Sequence, residues 1–124
     1  MRIFKAKLFH QWARKEGLTD ADLCNAMDEV GRGLIDAALG GNVFKKRVPI
    51  QGQGKRGGFR TLLAFRHEDS AFFMYGFAKN QRANISKDEL KALKKYAKEL
   101  LAYSDQALTT ACQSGALYEV KCDG

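Results

Sequence analysis

Apolar residues recur at helical spacing in the N-terminal part of the chain and predict two successive amphipathic helices. A short strand is expected over residues 2–4, and the first helix then continues to Gly17, a natural C-terminal stop. Thr19 opens a capping box in which Asp22 takes the place of glutamate, and apolar residues follow at i, i+3, i+4 and i+7 up to Val30. The pattern predicts a second helix that ends near Gly31 or Gly33.

The periodicity then changes to short runs rich in β-branched and aromatic residues, which are separated by turn-forming segments. Four strands are predicted, over residues 34–39, 43–50, 59–66 and 71–77. The segments between them are short enough to be hairpin connections, so consecutive antiparallel strands are the natural interpretation. The middle of the chain is therefore predicted to form a meander.

The C-terminal part contains the strongest helix signal. Ser86 and Glu89 form a complete S-x-x-E capping box, and a stripe of apolar residues follows opposite a lysine-rich face as far as Leu101. Residues 106–115 are only weakly helical in character, and residues 117–120 are expected to add a last strand or to pack as an extended segment. No repeat or linker divides the chain, so a single domain is predicted over residues 1–124.

Composition adds a preference for polyanionic partners. Lys and Arg number 21 against 14 Asp and Glu, which gives a formal net charge of +7 and a sequence pI of about 9.5. Such an excess favours nucleic acid or acidic protein surfaces, although a charge excess kept only for solubility is the alternative. The charged N-terminus is unlike a signal peptide, and the most apolar stretch, residues 71–78, is too short to span a bilayer. We therefore expect no membrane association and a cytoplasmic location.

The residues that usually mark metal or nucleotide chemistry are scarce. Three cysteines without C-x-x-C spacing argue against a disulfide framework and against a zinc site. His10 and His67 lie in no metal-binding motif and are expected to be ordinary surface or half-buried histidines. The glycine-rich segment 52–58 resembles a phosphate-binding loop, but Arg56 stands where Ser or Thr is needed. Neither a metal, a cofactor nor NTP hydrolysis is expected.

Cations are instead concentrated in and directly after the predicted strands: Lys45, Lys46, Arg47, Lys55, Arg56, Arg60, Lys79 and Arg82. Alternation along a strand puts Lys45 and Arg47 on one face, and Arg60 opens the next strand after a basic loop. The cluster alone indicates either phosphate binding or a solvated sheet face. The aromatic run 72–77 is expected to be core, with Tyr75 as its one candidate site residue.

Three motifs resemble, in the same order, those of RelE-type toxins related to HigB. Leu39-Gly40-Gly41 matches a turn that precedes a Lys-x-Arg strand, here Lys45-Lys46-Arg47. Residues 54–60 match a Gly-Lys-x-Gly-Gly-aromatic-Arg loop, and residues 77–80 match an aromatic-Ala-Lys-Asn segment before the last long helix. The resemblance covers most of the chain. It implies an α+β RelE-like fold, in which an N-terminal two-helix hairpin packs on a twisted antiparallel sheet of about four strands, with a C-terminal helix.

The resemblance also implies an activity, a metal-independent endoribonuclease that cuts messenger RNA, usually on the ribosome. A ribose 2′-oxygen attacks the adjacent phosphate, and cations stabilise the charge that develops. Arg60 is then the transition-state stabiliser, and Lys45, Lys55 and Lys79 are candidates for the remaining catalytic roles. The predicted RNA-binding residues are Lys46, Arg47, Arg56, Tyr75 and Arg82. Family members often place a tyrosine near the C-terminus, so Tyr118 is an alternative to Tyr75.

A toxin of this kind is expected to be neutralised by a cognate antitoxin, a helix-turn-helix protein by the same resemblance. Two other functions compete with RNA cleavage. ParE-type toxins share the fold but poison DNA gyrase. A non-enzymatic nucleic-acid-binding module would use the same cations only to neutralise phosphates.

Overall fold

A computed structural model describes residues 1–49, 58–66 and 70–122, and they form a mixed α+β domain. Its elements, in chain order, are β1 (Ile3–Ala6), α1 (Lys7–Glu16), α2 (Asp20–Gly31), β2 (Ala37–Gly40), β3 (Val43–Val48), β4 (Phe59–Phe65), β5 (Ala71–Ala78), α3 (Lys87–Leu101), α4 (Asp105–Ser114) and β6 (Leu117–Glu119). Three residues discussed in the sequence analysis, Lys55, Arg56 and His67, lie outside the described residues.

The strands form one sheet in the order β2-β3-β4-β5-β1-β6. The predicted meander is confirmed, since β2 to β5 are consecutive antiparallel neighbours. The predicted count of about four strands is wrong, because β1 and β6 extend the same sheet beyond β5. β1 runs parallel to β5 and antiparallel to β6, so the sheet is not purely antiparallel. The first predicted meander strand begins later than expected, at Ala37.

Local capping signals place the helices where the sequence predicted them. Gly17 takes a left-handed conformation at the end of α1, with φ of 78°, and the Thr19 and Ser86 capping boxes open α2 and α3 with both reciprocal hydrogen bonds. The weakly helical tail is in fact a ten-residue helix, α4, which Ser104 caps at its N-terminus and Gly115 ends. The C-terminal part therefore has two helices rather than one.

Helices cover both faces of the sheet. α1 and α2 pack on one side over Phe9, Leu23, Leu63 and Phe73, and we call it the α1/α2 face. α3 and α4 pack on the other side over Phe4, Val43, Phe72 and Leu100, and we call it the α3/α4 face. Each face has its own closed apolar core, because alternate residues of every strand point to opposite sides.

The predicted N-terminal hairpin differs in its layout, because α1 packs mainly on β5 and α2 on β3. Trp12 of α1 lies against Gly76 of β5 so closely that a Cβ atom there would stand 2.2 Å from the indole ring. Only glycine fits at this point of the strand, since any side chain would push the helix off the sheet. The indole also meets Phe59 edge-on, so α1 is anchored on two neighbouring strands.

The expectation of no disulfide is wrong, because Cys24 of α2 and Cys122 are bonded across 98 residues of sequence. An odd number of cysteines shows only that one thiol is left over, and here that thiol is Cys112. The pairing was hidden because β6 and the segment after it reach α2 only in the folded sheet. Lys121 strengthens the junction by donating its backbone N–H to the Asp20 carboxylate at 2.9 Å.

Candidate functional site

The cations of β3 and β4 meet on the part of the α3/α4 face that lies towards the end of β3. Arg47 and Arg60 are directly opposite each other across the two strands, and Lys45 lies two residues earlier on the same face. Side chains in such a cross-strand pair start from Cβ atoms roughly 4.5–5.5 Å apart. We call Arg47 and Arg60 the arginine pair. Lys45 and Arg47 share one face, as alternation predicted, and the strand register puts Arg60 on the same face.

Arg60 is half-buried, and its Nη1 atom is shielded from solvent without a hydrogen-bond partner within the described residues. A buried guanidinium N–H without an acceptor costs free energy, and the neighbouring Arg47 adds repulsion between like charges. Both costs are relieved when an anion with several oxygen acceptors binds between the guanidinium groups. The arginine pair is therefore arranged as a receptor for a phosphate or a similar anion.

Gly58, the motif glycine next to the aromatic residue before Arg60, packs against the side chain of Arg47. A Cβ atom at position 58 would stand 2.9 Å from Nε of Arg47 and 3.3 Å from the backbone oxygen of Val48. The guanidinium of Arg47 therefore lies across this glycine, and a side chain would displace it. The motif's glycine holds open the space that the arginine pair uses.

Aromatic side chains of β5 flank the arginine pair. Phe77 is the cross-strand partner of Arg60, and Tyr75 pairs with Leu62, which in turn pairs with Lys45. Most of the aromatic run is buried core, as the sequence indicated, whereas Tyr75 is only half-buried. Tyr75 and Phe77 are two residues apart on β5 and therefore lie on the same face. Tyr75 is thus the tyrosine that accompanies the cations.

Arg82 fixes the Tyr75 hydroxyl through a network with Glu89. Its Nη1 atom donates to the tyrosine oxygen at 3.1 Å and to Glu89 Oε2 at 3.0 Å, while Nη2 donates to Glu89 Oε1 at 2.5 Å. The guanidinium also lies 5.6 Å from the centroid of the Phe77 ring. The bidentate bond from Arg82 lowers the pKa of Glu89 to about 2. The hydrogen bonds of Arg82 therefore fix the positions of Tyr75 and Glu89 relative to each other.

Acid titration should detect the Arg82–Glu89 pair. The pKa of Glu89 in the fold is below its ordinary value of 4.5, so its contribution to stability is present above pH 4.5 and is lost as the pH falls towards about 2. We expect the difference in unfolding free energy between the parent protein and Glu89→Gln to shrink over this interval. Glutamine still serves at this position of a capping box, so the helix start is kept. Urea unfolding at several pH values measures the difference, and a constant offset would contradict the assignment.

The matched control is Glu99→Gln on the exposed side of the same helix. Glu99 forms no ion pair with the described residues, and its replacement should leave the acid slope of stability as it is in the parent.

Lys46, another predicted site residue, does not lie on the face of the arginine pair. Lys46 points to the α1/α2 face, where it is buried, lies 3.1 Å from Glu29 and donates to the backbone oxygen of Leu34 at 2.8 Å. Its prediction as an RNA-binding residue therefore finds no support in its position, because alternation turns it away from Arg47.

Lys79 is exposed in the turn directly after β5. Lys79 follows Ala78, which pairs with Phe59, the residue directly before Arg60. Lys79 therefore lies at the same end of the sheet as the arginine pair.

Tyr118 lies at the far edge of the sheet and is separated from the cations. It pairs with Lys5 on the α1/α2 face, and its ring stacks on His10 with 3.7 Å between centroids. His10 is half-buried, as the sequence predicted, and desolvation lowers its pKa. Within ranges 1–49, 58–66 and 70–122, no group of three or more His, Cys, Asp or Glu residues is placed to hold a metal ion.

Glu89 is the site residue that sequence reasoning missed. Its capping role is sufficient to explain its presence, and its Oε1 atom does accept from the Ser86 backbone N–H at 2.8 Å. The same oxygen also accepts from Arg82, seven residues earlier, which no local pattern indicates. A lone carboxylate near a basic cluster was the only available signal.

The fold and the site define a small α+β protein with a cationic patch on one face of its sheet. Over residues 1–120 the chain matches the family of the RelE toxin of the RelE / RelB toxin-antitoxin system, and it belongs to this family. A search of curated proteins returned no match. None of the helices in the described part of the chain is long and apolar enough to cross a membrane. RelE family toxins are paired with an antitoxin and are generally ribonucleases.

Proposed function

We propose that this RelE-family toxin is a metal-independent endoribonuclease that cleaves messenger RNA, with the arginine pair as the centre of its catalytic site. The observation that carries the proposal is the unpartnered, buried Nη1 atom of Arg60 opposite Arg47. Two guanidinium groups on neighbouring strands match a phosphate that gains negative charge during the reaction. Arginine suits this task because its planar donors contact two oxygens at once and it remains charged.

The proposed reaction is an internal phosphoryl transfer. A base removes the proton from a ribose 2′-hydroxyl, the 2′-oxygen forms a bond to the adjacent phosphorus, and the bond from phosphorus to the 5′-oxygen breaks. The leaving oxygen takes up a proton, which gives a 2′,3′-cyclic phosphate and a free 5′-hydroxyl. Arg60 contacts the phosphate oxygens whose charge increases, and Arg47 binds the same phosphate or its neighbour.

The proton transfers are assigned to the lysines around the arginine pair. Lys45 lies on the same face as Arg47 and in the same cross-strand row as Tyr75, with Leu62 between them, which makes it the first candidate for the base. Lys79, at the turn after β5, is the candidate that protonates the leaving oxygen. Lys55 and Arg56, which precede Arg60 in the sequence and lie outside the described residues, are proposed to bind the RNA backbone. Tyr75, held by Arg82, is proposed to stack on a base next to the cleaved phosphate.

Messenger RNA on the ribosome is the proposed substrate, and a cognate helix-turn-helix antitoxin is the proposed inhibitor. The net charge of +7 supports RNA as the target, because it favours a polyanion over most protein surfaces. The cations of β3 and β4 support cleavage over a purely gyrase-directed toxin, since they lie together on one face of the sheet rather than scattered over the surface. HigB is the relative that the sequence motifs favour.

Chelation and product analysis test the chemistry directly. We expect the purified toxin to cut RNA at an undiminished rate in EDTA, because the proposed charge stabilisation comes from Arg60 and Arg47 alone. The fragments should end in a 2′,3′-cyclic phosphate and begin with a 5′-hydroxyl, which end-specific labelling with and without a phosphatase distinguishes. Loss of cleavage in EDTA that Mg²⁺ restores, or fragments with 5′-phosphates, would overturn the mechanism. A commercial metal-dependent nuclease on the same RNA serves as the control.

A further inference from the structure

The disulfide between Cys24 and Cys122 borders an open groove on the surface of the domain. Cys122 is exposed, and Cys24 is half-buried at the rim of the core under α1 and α2. Both residues line a groove of about 840 Å³, together with Ile3 of β1 and with Asp20 and Asp28 of α2. A dissolved thiol therefore has access to the bond while the domain is folded, and access is what thiol–disulfide exchange requires.

The bond attaches the segment that follows β6 to helix α2. β6 is a strand of only three residues at the edge of the sheet, and β1 is its strand partner in the described part of the chain. The cross-link follows three residues after the end of the strand at Glu119. Such a short tether holds β6 close to β1, so the strand returns at once whenever it separates.

The other contacts of the β6 segment are few and mostly polar. Arg2 donates to both carboxylate oxygens of Glu119 at 2.9 and 3.0 Å, but this ion pair is largely open to solvent and such pairs contribute little to stability. Leu117 and Val120 are the buried apolar side chains of the segment, and they pack into opposite cores. A short edge strand with two apolar anchors is a part of the fold that opens locally when its tether is removed.

We propose that Cys24 and Cys122 are a site of reversible thiol–disulfide exchange with a dithiol, and that this exchange determines whether β6 stays attached to the sheet. The inference goes beyond RNA cleavage and does not depend on it. The arginine pair lies on β3 and β4, whereas the disulfide joins α2 to the segment after β6. The two sites are therefore separated by β5 and β1 in the sheet order.

The exchange is a two-electron reaction between thiols. A thiolate of the dithiol bonds to the sulfur of Cys122, the more exposed cysteine, and the Cys24 sulfur leaves and takes up a proton. The second thiol of the dithiol then attacks the mixed disulfide, which releases the Cys122 thiol and leaves the dithiol oxidised. In the reverse direction, hydrogen peroxide oxidises one cysteine to a sulfenic acid and releases water. The other thiol then displaces a second water and forms the disulfide again.

Reaction with dithiothreitol in the absence of denaturant tests the access to the bond. The full chain with Cys112→Ser is used, because this change removes the third thiol from the exchange. We expect the bond to be reduced at a rate within about tenfold of the rate in denaturing urea, since the folded domain leaves it accessible. Hydrogen peroxide should restore the bond after the dithiothreitol is removed. Reduction no faster than global unfolding would show a purely structural disulfide and would overturn the proposal.

Hydrogen exchange tests the release of β6. The backbone N–H of Lys7 donates to Ala116 and that of Val120 donates to Ile3, so both amides report on the attachment of this segment. They should exchange at least about tenfold faster after reduction. The amide of Phe65, which donates to Asn42 in the other half of the sheet, is the internal control and should not change.

A Cys24→Ser variant separates the bond from the reagent. Its Lys7 and Val120 amides should exchange as in the reduced protein, with or without dithiothreitol. Equal exchange of these amides in the oxidised and reduced proteins would show that the bond does not control β6. An equal loss of protection at Phe65 would show that the bond holds the whole fold rather than one strand. Either result would overturn the proposal.

Discussion

Arg60→Ala is expected to reduce RNA cleavage by about 10²–10³-fold, the range that follows removal of one donor to the developing charge of a transition state. Binding of uncleaved RNA should decrease far less, because Arg47, Lys45 and the remaining cations still neutralise phosphates. The reason for this difference lies in the position of Arg60, whose buried Nη1 atom has no acceptor within the described residues and would gain one from the reacting phosphate. Single-turnover cleavage and equilibrium binding to a 2′-deoxy-substituted, uncleavable RNA measure the two quantities.

Arg14→Ala is the matched control for Arg60→Ala. Arg14 is an exposed arginine in the last turn of α1, on the opposite face of the sheet. Its removal should leave the cleavage rate near that of the parent and should lower the salt dependence of binding only slightly. Equal losses of cleavage and binding in Arg60→Ala would favour a non-enzymatic binding module. Growth arrest with intact transcripts would favour a gyrase-directed toxin.

Breaking the disulfide between Cys24 and Cys122 should have the largest effect on stability. The bond closes a loop of 98 residues, and cross-links of long loops typically stabilise a small domain by about 2–4 kcal/mol. We therefore expect Cys24→Ser, or addition of a reductant to the parent, to lower the free energy of unfolding by that amount. Urea unfolding with and without dithiothreitol measures the change. Superimposable curves for the oxidised and reduced protein would contradict it.

Cys112→Ser provides the control for this experiment. Cys112 is a half-buried thiol of α4 whose pKa is raised by desolvation, and it takes no part in the disulfide. The Cys112→Ser variant should keep the full difference between oxidising and reducing conditions. Cys24→Ser should lose it, because its stability no longer depends on the reductant.

The parts of the fold that depend on neighbouring residues were predictable from the sequence. Thr19 and Ser86 begin helices for reasons contained in the next three residues, and alternation over residues 43–48 separates Lys46 from Arg47. The pairing of β1 with β5 and β6 was not predictable, because no short-range pattern specifies which strands meet when they are separated by some 70 to 110 residues. The same limit hid the disulfide and the place of β6 beside β1 in the sheet.

The candidate site likewise has features that the sequence predicts and features that it does not. Lys45, Arg47 and Arg60 could be grouped from strand alternation and one turn, and the structure places them on one face. Arg82 was predicted to contact RNA but is held by Glu89, since a carboxylate seven residues away completes a bidentate pair that charge counting does not reveal. Lys46 was also predicted to contact RNA, but it is buried on the opposite side of the strand from Arg47, where it pairs with Glu29.

The position of β1 between β5 and β6 has a consequence for biosynthesis. Among the described strands β1 leaves the ribosome before the others, yet its neighbours in the sheet are Ala71–Phe73 and Leu117–Glu119. β1 cannot pair with β5 until Phe73 has been translated, and its other side has no strand partner until Leu117–Glu119 follow, so this long-range pairing is slow to form. The six-stranded sheet is therefore completed late in the synthesis of this domain.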